Sequence, residues 1–170
     1  MKRLAKIQEY VTFKKVRFYT VCFEDDKNET EKFFDLGIDN PTVTEKLQQI
    51  ATFIKIMGNE KGANKDFFRN EAQADALPPE SKIFLRYKLD EFLNNNLRLY
   101  CMRLSDSVVV LFNGGIKTAN KAQDCPNVGP KFRMAQLFAK KIDEKIRDRV
   151  FTIENKCISA DDEEDYMIEH

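Results

Sequence analysis

The sequence predicts an α+β protein, a small and mainly antiparallel β-sheet with helices packed on it. Three observations carry this reading. Leu97–Thr118 holds two runs rich in leucine, valine and aromatic residues on either side of Ser105-Asp106-Ser107, the pattern of a hairpin with a short turn. Val16–Phe23 is another aromatic and β-branched run, closed by the acidic turn Glu24-Asp25-Asp26. Val43–Met57 and Pro130–Ile146 instead repeat their apolar residues at helical spacing.

In chain order, Met1–Tyr10 carries Leu4, Ile7 and Tyr10 or Val11 at helical spacing, which predicts at most a weak helix. Val16–Phe23 is then the first strand, and Glu29–Leu36 a short helix stopped by Gly37. Thr42-Val43-Thr44-Glu45 reads as a capping box, with Val43, Leu47, Ile50, Ile54 and Met57 on one face and Gly58 as terminator. Asn59–Ala63 is a polar linker, and Asn64 is placed to cap a helix running to Ala74, before the break at Leu77-Pro78-Pro79. Ser81–Leu93 is readable as helix or strand, helix being favoured, and Asn94-Asn95-Asn96 makes a turn into the hairpin. After the hairpin, Ala119–Gly129 is a loop. Pro130 suits the first position of a helix whose stripe is Ala135, Phe138, Ile142 and Ile146. Val150–Ile153 reads as a short edge strand. Ser159–His170, acidic and poor in apolar residues, is expected to be a disordered tail.

The two hairpin strands differ in character. Alternation puts Arg98, Tyr100 and Met102 on one face, and Leu97, Leu99, Cys101 and Arg103 on the other. Val108–Phe112 does not alternate, so both of its faces are expected to be covered, as in a central strand. Gly114 and Gly115 would let the backbone turn at its end and deliver Lys117 just beyond.

At 170 residues and 42% hydrophobic content the chain supplies one ordinary core, so a single domain over 1–158 plus the tail 159–170 is expected. Net charge is zero but uneven. Residues 97–150 carry 11 basic and 5 acidic side chains, whereas 151–170 carry 1 and 7. A basic stretch of this kind suits an anionic partner, although solvated helix faces give the same asymmetry. The longest uncharged run, Ser107–Ile116, is far short of the ~20 residues that a spanning helix needs, so no membrane association is expected. The four cysteines form no C-x-x-C pair and the single histidine is His170, which argues against a zinc site or any other metal. Cys22 and Cys101 fall inside strands as reduced thiols. Together with the absence of a signal-like apolar segment at the start, this gives a cytoplasmic expectation.

No phosphate-loop, dinucleotide-binding, nucleophile-elbow or H-E-x-x-H motif occurs. The chemistry-bearing residues that remain are Arg98, Tyr100, Arg103, Lys117 and Lys121 around the hairpin, followed by a helix whose outer sides carry Lys131, Arg133 and Lys140. Metal-independent RNA cleavage needs a base for the 2′-hydroxyl, cations for the pentacovalent phosphate and a proton for the leaving oxygen. Lysine, arginine and tyrosine can fill such roles.

The block L-R-L-Y-x-x-R-L, followed by a valine-rich strand and an exit of glycine, lysine and threonine, resembles the RelE/HigB-like toxins of bacterial type II toxin–antitoxin systems. The resemblance implies a compact RelE-like fold, here with an inserted helical segment over about 59–96. It implies an endoribonuclease that cuts messenger RNA at the ribosome without cofactor or metal, and a cognate antitoxin as protein partner. On it, Lys117, Arg98, Tyr100 and Arg103 are the catalytic candidates: Lys117 as base or phosphate ligand, the arginines as phosphate clamps and Tyr100 as stacking group. Lys121, Lys131, Arg133 and Lys140 would contact RNA. The chain departs from the family in its added length, its acidic tail and its lack of the histidine that some members use. The alternative is a non-catalytic RNA- or protein-binding module that keeps the toxin fold.

Overall fold

The computed structural model describes residues 3–92, 94–118 and 121–170; Met1 and Lys2 of the expected weak helix, Leu93 of the Ser81–Leu93 segment, and Ala119 and Asn120 of the loop lie outside them. In chain order the strands are β1 (Leu4–Thr12), β2 (Arg17–Phe23), β3 (Arg69–Glu71), β4 (Ala74–Leu77), β5 (Leu97–Ser105), β6 (Val108–Ile116), β7 (Thr152–Glu154), β8 (Cys157–Ser159) and β9 (Met167–Glu169). Seven of them form one sheet in the order β3-β4-β5-β6-β2-β1-β9, and helices cover it, giving an α+β fold. All neighbours are antiparallel except β2 and β6, which run parallel. Strands β7 and β8 form a separate small hairpin.

Each face of the sheet carries its own core. On one face lie α1 (Glu29–Phe34), α2 (Pro41–Ile56) and α3 (Ser81–Arg86), with Leu47, Ile50, Phe53 and Phe84 against Phe18, Leu99, Val109 and Leu111. On the other lies α4 (Gly129–Arg147), whose Ala135, Phe138, Ala139 and Ile142 are buried against Tyr19, Val21, Tyr100, Val110 and Phe112. Successive residues of β6 therefore go to opposite cores, which explains the absence of alternation in Val108–Phe112. The parallel β2–β6 contact is closed from above by Thr30 of α1, whose hydroxyl reaches Thr20 Oγ1 at 2.6 Å and donates toward Leu111 O and Phe112 O.

Several sequence expectations are corrected. The N-terminal segment is strand β1 rather than a weak helix. The alternating Ala5 and Ile7 are buried, whereas Leu4, which the helical stripe required, is 49% exposed. The helix expected over 64–74 is a single 3-10 turn, Lys65–Phe67, that Asn64 does cap through Asp66 N–H. The chain then leaves as the β3–β4 hairpin, with Ala72 in the left-handed region at its tip. The described residues of 59–96, expected as a helical segment, instead hold the β3–β4 hairpin, the short helix α3 and single 3-10 turns at Lys65–Phe67 and Asp90–Phe92. The capping box at Thr42 does not form: α2 already begins at Pro41, directly after Asn40, and Thr42 Oγ1 donates to Asn40 Oδ1. Gly58 does not terminate the helix but lies within a wider turn, Met57–Lys61, where the Phe13 ring packs in the space that a Cβ would take. Gly114 and Gly115 lie within β6 instead of turning the chain. Finally, the acidic tail is ordered: β9 pairs with β1 and buries Ile168 in the α4-side core. Its acidic composition conceals apolar Tyr166 and Ile168, which are enough to anchor it.

Candidate functional site

Arg98 and Tyr100 share the face of β5 that α4 covers, as alternation requires. Arg69 joins them through sheet register. It pairs with Ala76, and Ala76 pairs with Tyr100, so the three residues form a row across β3, β4 and β5. Gln136 of α4 fixes this row to the helix: its Oε1 accepts from Gln73 N–H (2.7 Å) and Ala74 N–H (3.1 Å), and its Nε2 donates to Glu71 O (2.6 Å).

The two guanidiniums are poorly solvated and electrically under-compensated. Arg98 Nη1 donates to Leu97 O (2.8 Å) and Asn95 O (3.3 Å), while its buried Nε has no hydrogen-bond partner among the described residues. Arg69 Nε donates to Pro78 O at 2.7 Å and Nη2 to Pro79 O at 3.4 Å. Burial holds both groups below the ordinary guanidinium value, and Arg69 lowers Arg98 further by like-charge repulsion. Among the described residues neither makes an ion pair. Backbone carbonyls are their hydrogen-bond acceptors, while the Glu71 carboxylate, joined by Glu80 at Arg69, acts on them from beyond ion-pair distance.

Tyr100 is fully buried, its ring edge-on to Phe132 in the first turn of α4 with centroids 5.7 Å apart. Its hydroxyl has no partner among the described residues, and burial, then the nearby Glu71 carboxylate, push it well up. Opposite Arg98 stands Gly115, whose missing Cβ admits Asn127 O and Val128 Cγ1 at 3.1 and 3.3 Å from the ideal Cβ position. The loop that starts α4 thus lies directly over the Arg98 end of the row. In that loop Cys125 Sγ receives Thr118 N–H (3.4 Å) and lies 3.2 Å from Thr118 Oγ1, and these hydrogen bonds lower its thiol to about 6.

Of the sequence-named residues, Arg98 and Tyr100 are brought together, but Tyr100 is interior and has no face open to a base, which corrects its stacking role. Arg103 is separated from them. It projects to the α2 side, where Nε donates to Ala63 O (2.6 Å), Nη2 bonds Asp106, and its backbone N–H donates to Asp75 Oδ2 (3.0 Å). Lys117 follows β6, half-buried, its N–H held by Asn96 O at 2.9 Å. Lys121 is exposed ahead of α4, Lys131 is half-buried in its first turn, and Arg133 and Lys140 are exposed on its outer side. Sequence reasoning misses Arg69 and Cys125. Reading 69–77 as a hairpin would have found Arg69, whereas nothing local marks Cys125. Among the described residues no three histidine, cysteine or acidic side chains are grouped to hold a metal ion, and no helix is long and apolar enough to cross a membrane. No family model, curated protein or solved structure matches the chain, so the chemistry of this cluster is what bears on its role.

Proposed function

We propose that the chain is a non-catalytic RNA-binding module whose anion-binding centre is the Arg69–Arg98 pair beneath the start of α4. The observation that carries this is two desolvated guanidiniums on one face without an ion pair among the described residues. An incoming phosphate would relieve their mutual repulsion and accept from their remaining N–H groups. The N-terminal end of α4 adds favourable dipole for an anion at the same place. Exposed Lys121 and Lys140 extend the positive surface beyond a single phosphate, which favours a polyanion. Fluorescence anisotropy with a labelled single-stranded RNA at several salt concentrations tests this. Arg98→Ala and Arg69→Ala are each expected to weaken binding about tenfold and to flatten the salt slope by roughly 0.7, one phosphate contact. Unchanged affinity in both variants would refute it.

A second reading, the metal-independent endoribonuclease of the RelE/HigB-like kind, is favoured by Lys117. Its ammonium makes no hydrogen bond or ion pair among the described residues, and it follows the strand paired with Arg98. The buried Tyr100 and the distant Arg103 remove two of the four residues that this reading needs. Growth arrest on expression, with transcript cleavage that Lys117→Ala abolishes, would establish the toxin reading; intact transcripts and normal growth support the binding module.

A further inference from the structure

On the α2 side of the β3–β4 hairpin, Asn70 and Asp75 are directly paired across the two strands. Together with Lys65, Phe68 and Arg103 they line a cleft of about 280 Å³. Phe68, half-buried against the α2-side core, is the aromatic residue of this lining. Asp75 Oδ2 accepts only the Arg103 N–H, at 3.0 Å, which leaves most of the carboxylate's acceptor capacity uncommitted among the described residues. Burial pushes this carboxyl up, so the anion gains from any further donor. Asn70 Oδ1 accepts Ala72 N–H at 3.2 Å, which orients the amide and leaves both NH₂ donors uncommitted among the described residues. The cleft thus presents an aromatic wall, a carboxylate acceptor and an amide donor side by side, with cations at the rim.

We infer that this cleft takes a single unpaired guanine base, with Phe68 against the ring, Asp75 accepting its N1–H and N2–H, and Asn70 donating to its O6. Among the four bases, only guanine offers two adjacent donors next to an acceptor on its pairing edge. Adenine presents the opposite polarity at its ring nitrogen, uracil has a single donor between two acceptors, and cytosine has one donor for the carboxylate. Pairing edges are open only in single strands, and aromatic stacking supplies the base-independent part of the binding. The site deepens the RNA-binding reading above and rests on it for its biological substrate. Arg69 also lines the adjoining depression beside Lys65 and Asn70, so a strand held at the Arg69–Arg98 pair can continue around the β3 edge to this pocket.

Isothermal titration of the full chain with ribonucleoside monophosphates tests it. GMP is expected to bind, IMP, which lacks only the N2 donor, about fivefold more weakly, and AMP, CMP and UMP more weakly still, down to roughly 150-fold below GMP. In Asp75→Asn the amide oxygen can still accept from Arg103 N–H, so the fold is expected to persist while the GMP preference over AMP falls to within about twofold. GMP and AMP of equal affinity, no binding by any nucleotide, or an undiminished preference in Asp75→Asn would each overturn the pocket. The two proposals fail separately. RNA held through Arg69 and Arg98 without guanine preference eliminates the pocket alone, whereas Asp75-dependent GMP selection without RNA affinity supports the pocket and eliminates the RNA-binding reading.

Discussion

Gly114 lies opposite Leu99 in the β5–β6 ladder, and an ideal Cβ on it would stand 1.7 Å from the Arg98 carbonyl oxygen. Both strands are central in the sheet and packed on both faces, so neither backbone can retreat. Gly114→Ala is therefore expected to cost at least about 3 kcal/mol, lowering the thermal midpoint by roughly 6–12 °C for a chain of this size. Gly115→Ala should be milder, because Val128 Cγ1 at 3.3 Å and the Asn127 loop carbonyl at 3.1 Å can give way. Thermal unfolding followed by circular dichroism would reveal the difference; equal midpoints for parent and Gly114→Ala would mean that the strands separate there.

The C-terminal strand is a structural member of the sheet. Ile168, 1% exposed, pairs with Ala5, and the His170 ring sits 5.6 Å from that of Phe23 and 5.8 Å from that of Phe138. Ile168→Ala should cost about 2–4 kcal/mol through the cavity it leaves. Removing residues 167–170 should accelerate amide exchange in Leu4–Lys6, which would become an open edge. Unaltered exchange would show that β9 contributes nothing to holding β1.

Cys125 is covered by its own loop, at 1% exposure, and its thiol is lowered to about 6 by the Thr118 hydroxyl and N–H. Because the folded value lies below the ordinary ~8.5, folding favours the thiolate. The resulting stabilisation is fully present above about 8.5 and is lost as pH falls through about 6. The Cys125 Cβ resonance should titrate with a midpoint near 6, and Thr118→Val should move it upward. The stability gap between parent and Cys125→Ser should widen from pH ~6 to ~8.5 and be flat below. A midpoint in the ordinary thiol range would contradict this.

What the sequence reveals follows the strength of its local patterns. The β5–β6 hairpin is legible because two apolar runs flank the short polar turn Ser105-Asp106-Ser107, and α4 because the Ala135–Phe138–Ile142 stripe repeats at helical spacing. The β3–β4 hairpin is not, since Asn64 caps a turn that stops after Phe67 and the short strands Arg69–Glu71 and Ala74–Leu77 depend on β5 for their pairing. Reading that segment as helix also hides Arg69, which reaches Arg98 only through sheet register. Alternation correctly places Arg98 with Tyr100, and it already sets Arg103 on the opposite face. It cannot tell which face α4 will cover, and therefore that Tyr100 is interior. The tail misleads because composition counts acids, while Tyr166 and Ile168 act through position.

Tyr100 offers the sharpest separation of stability from binding. Its ring packs against Phe132, but its buried hydroxyl has no partner among the described residues, a loss that ordinarily costs about 1–3 kcal/mol. Tyr100→Phe keeps the ring and removes the orphaned group, so the free protein should gain about 1 kcal/mol and melt roughly 2–4 °C higher. The hydroxyl is enclosed beneath the first turn of α4 with no surface open to solvent, so a phosphate held by Arg69 and Arg98 has no access to it. The same substitution should therefore leave RNA affinity essentially unchanged, in contrast to Arg69→Ala and Arg98→Ala. Melting curves of the free protein and anisotropy with labelled RNA separate the two effects. A less stable Tyr100→Phe would mean that the hydroxyl is already satisfied within the fold, and a marked loss of RNA affinity would mean that the site opens far enough for the bound strand to reach Tyr100.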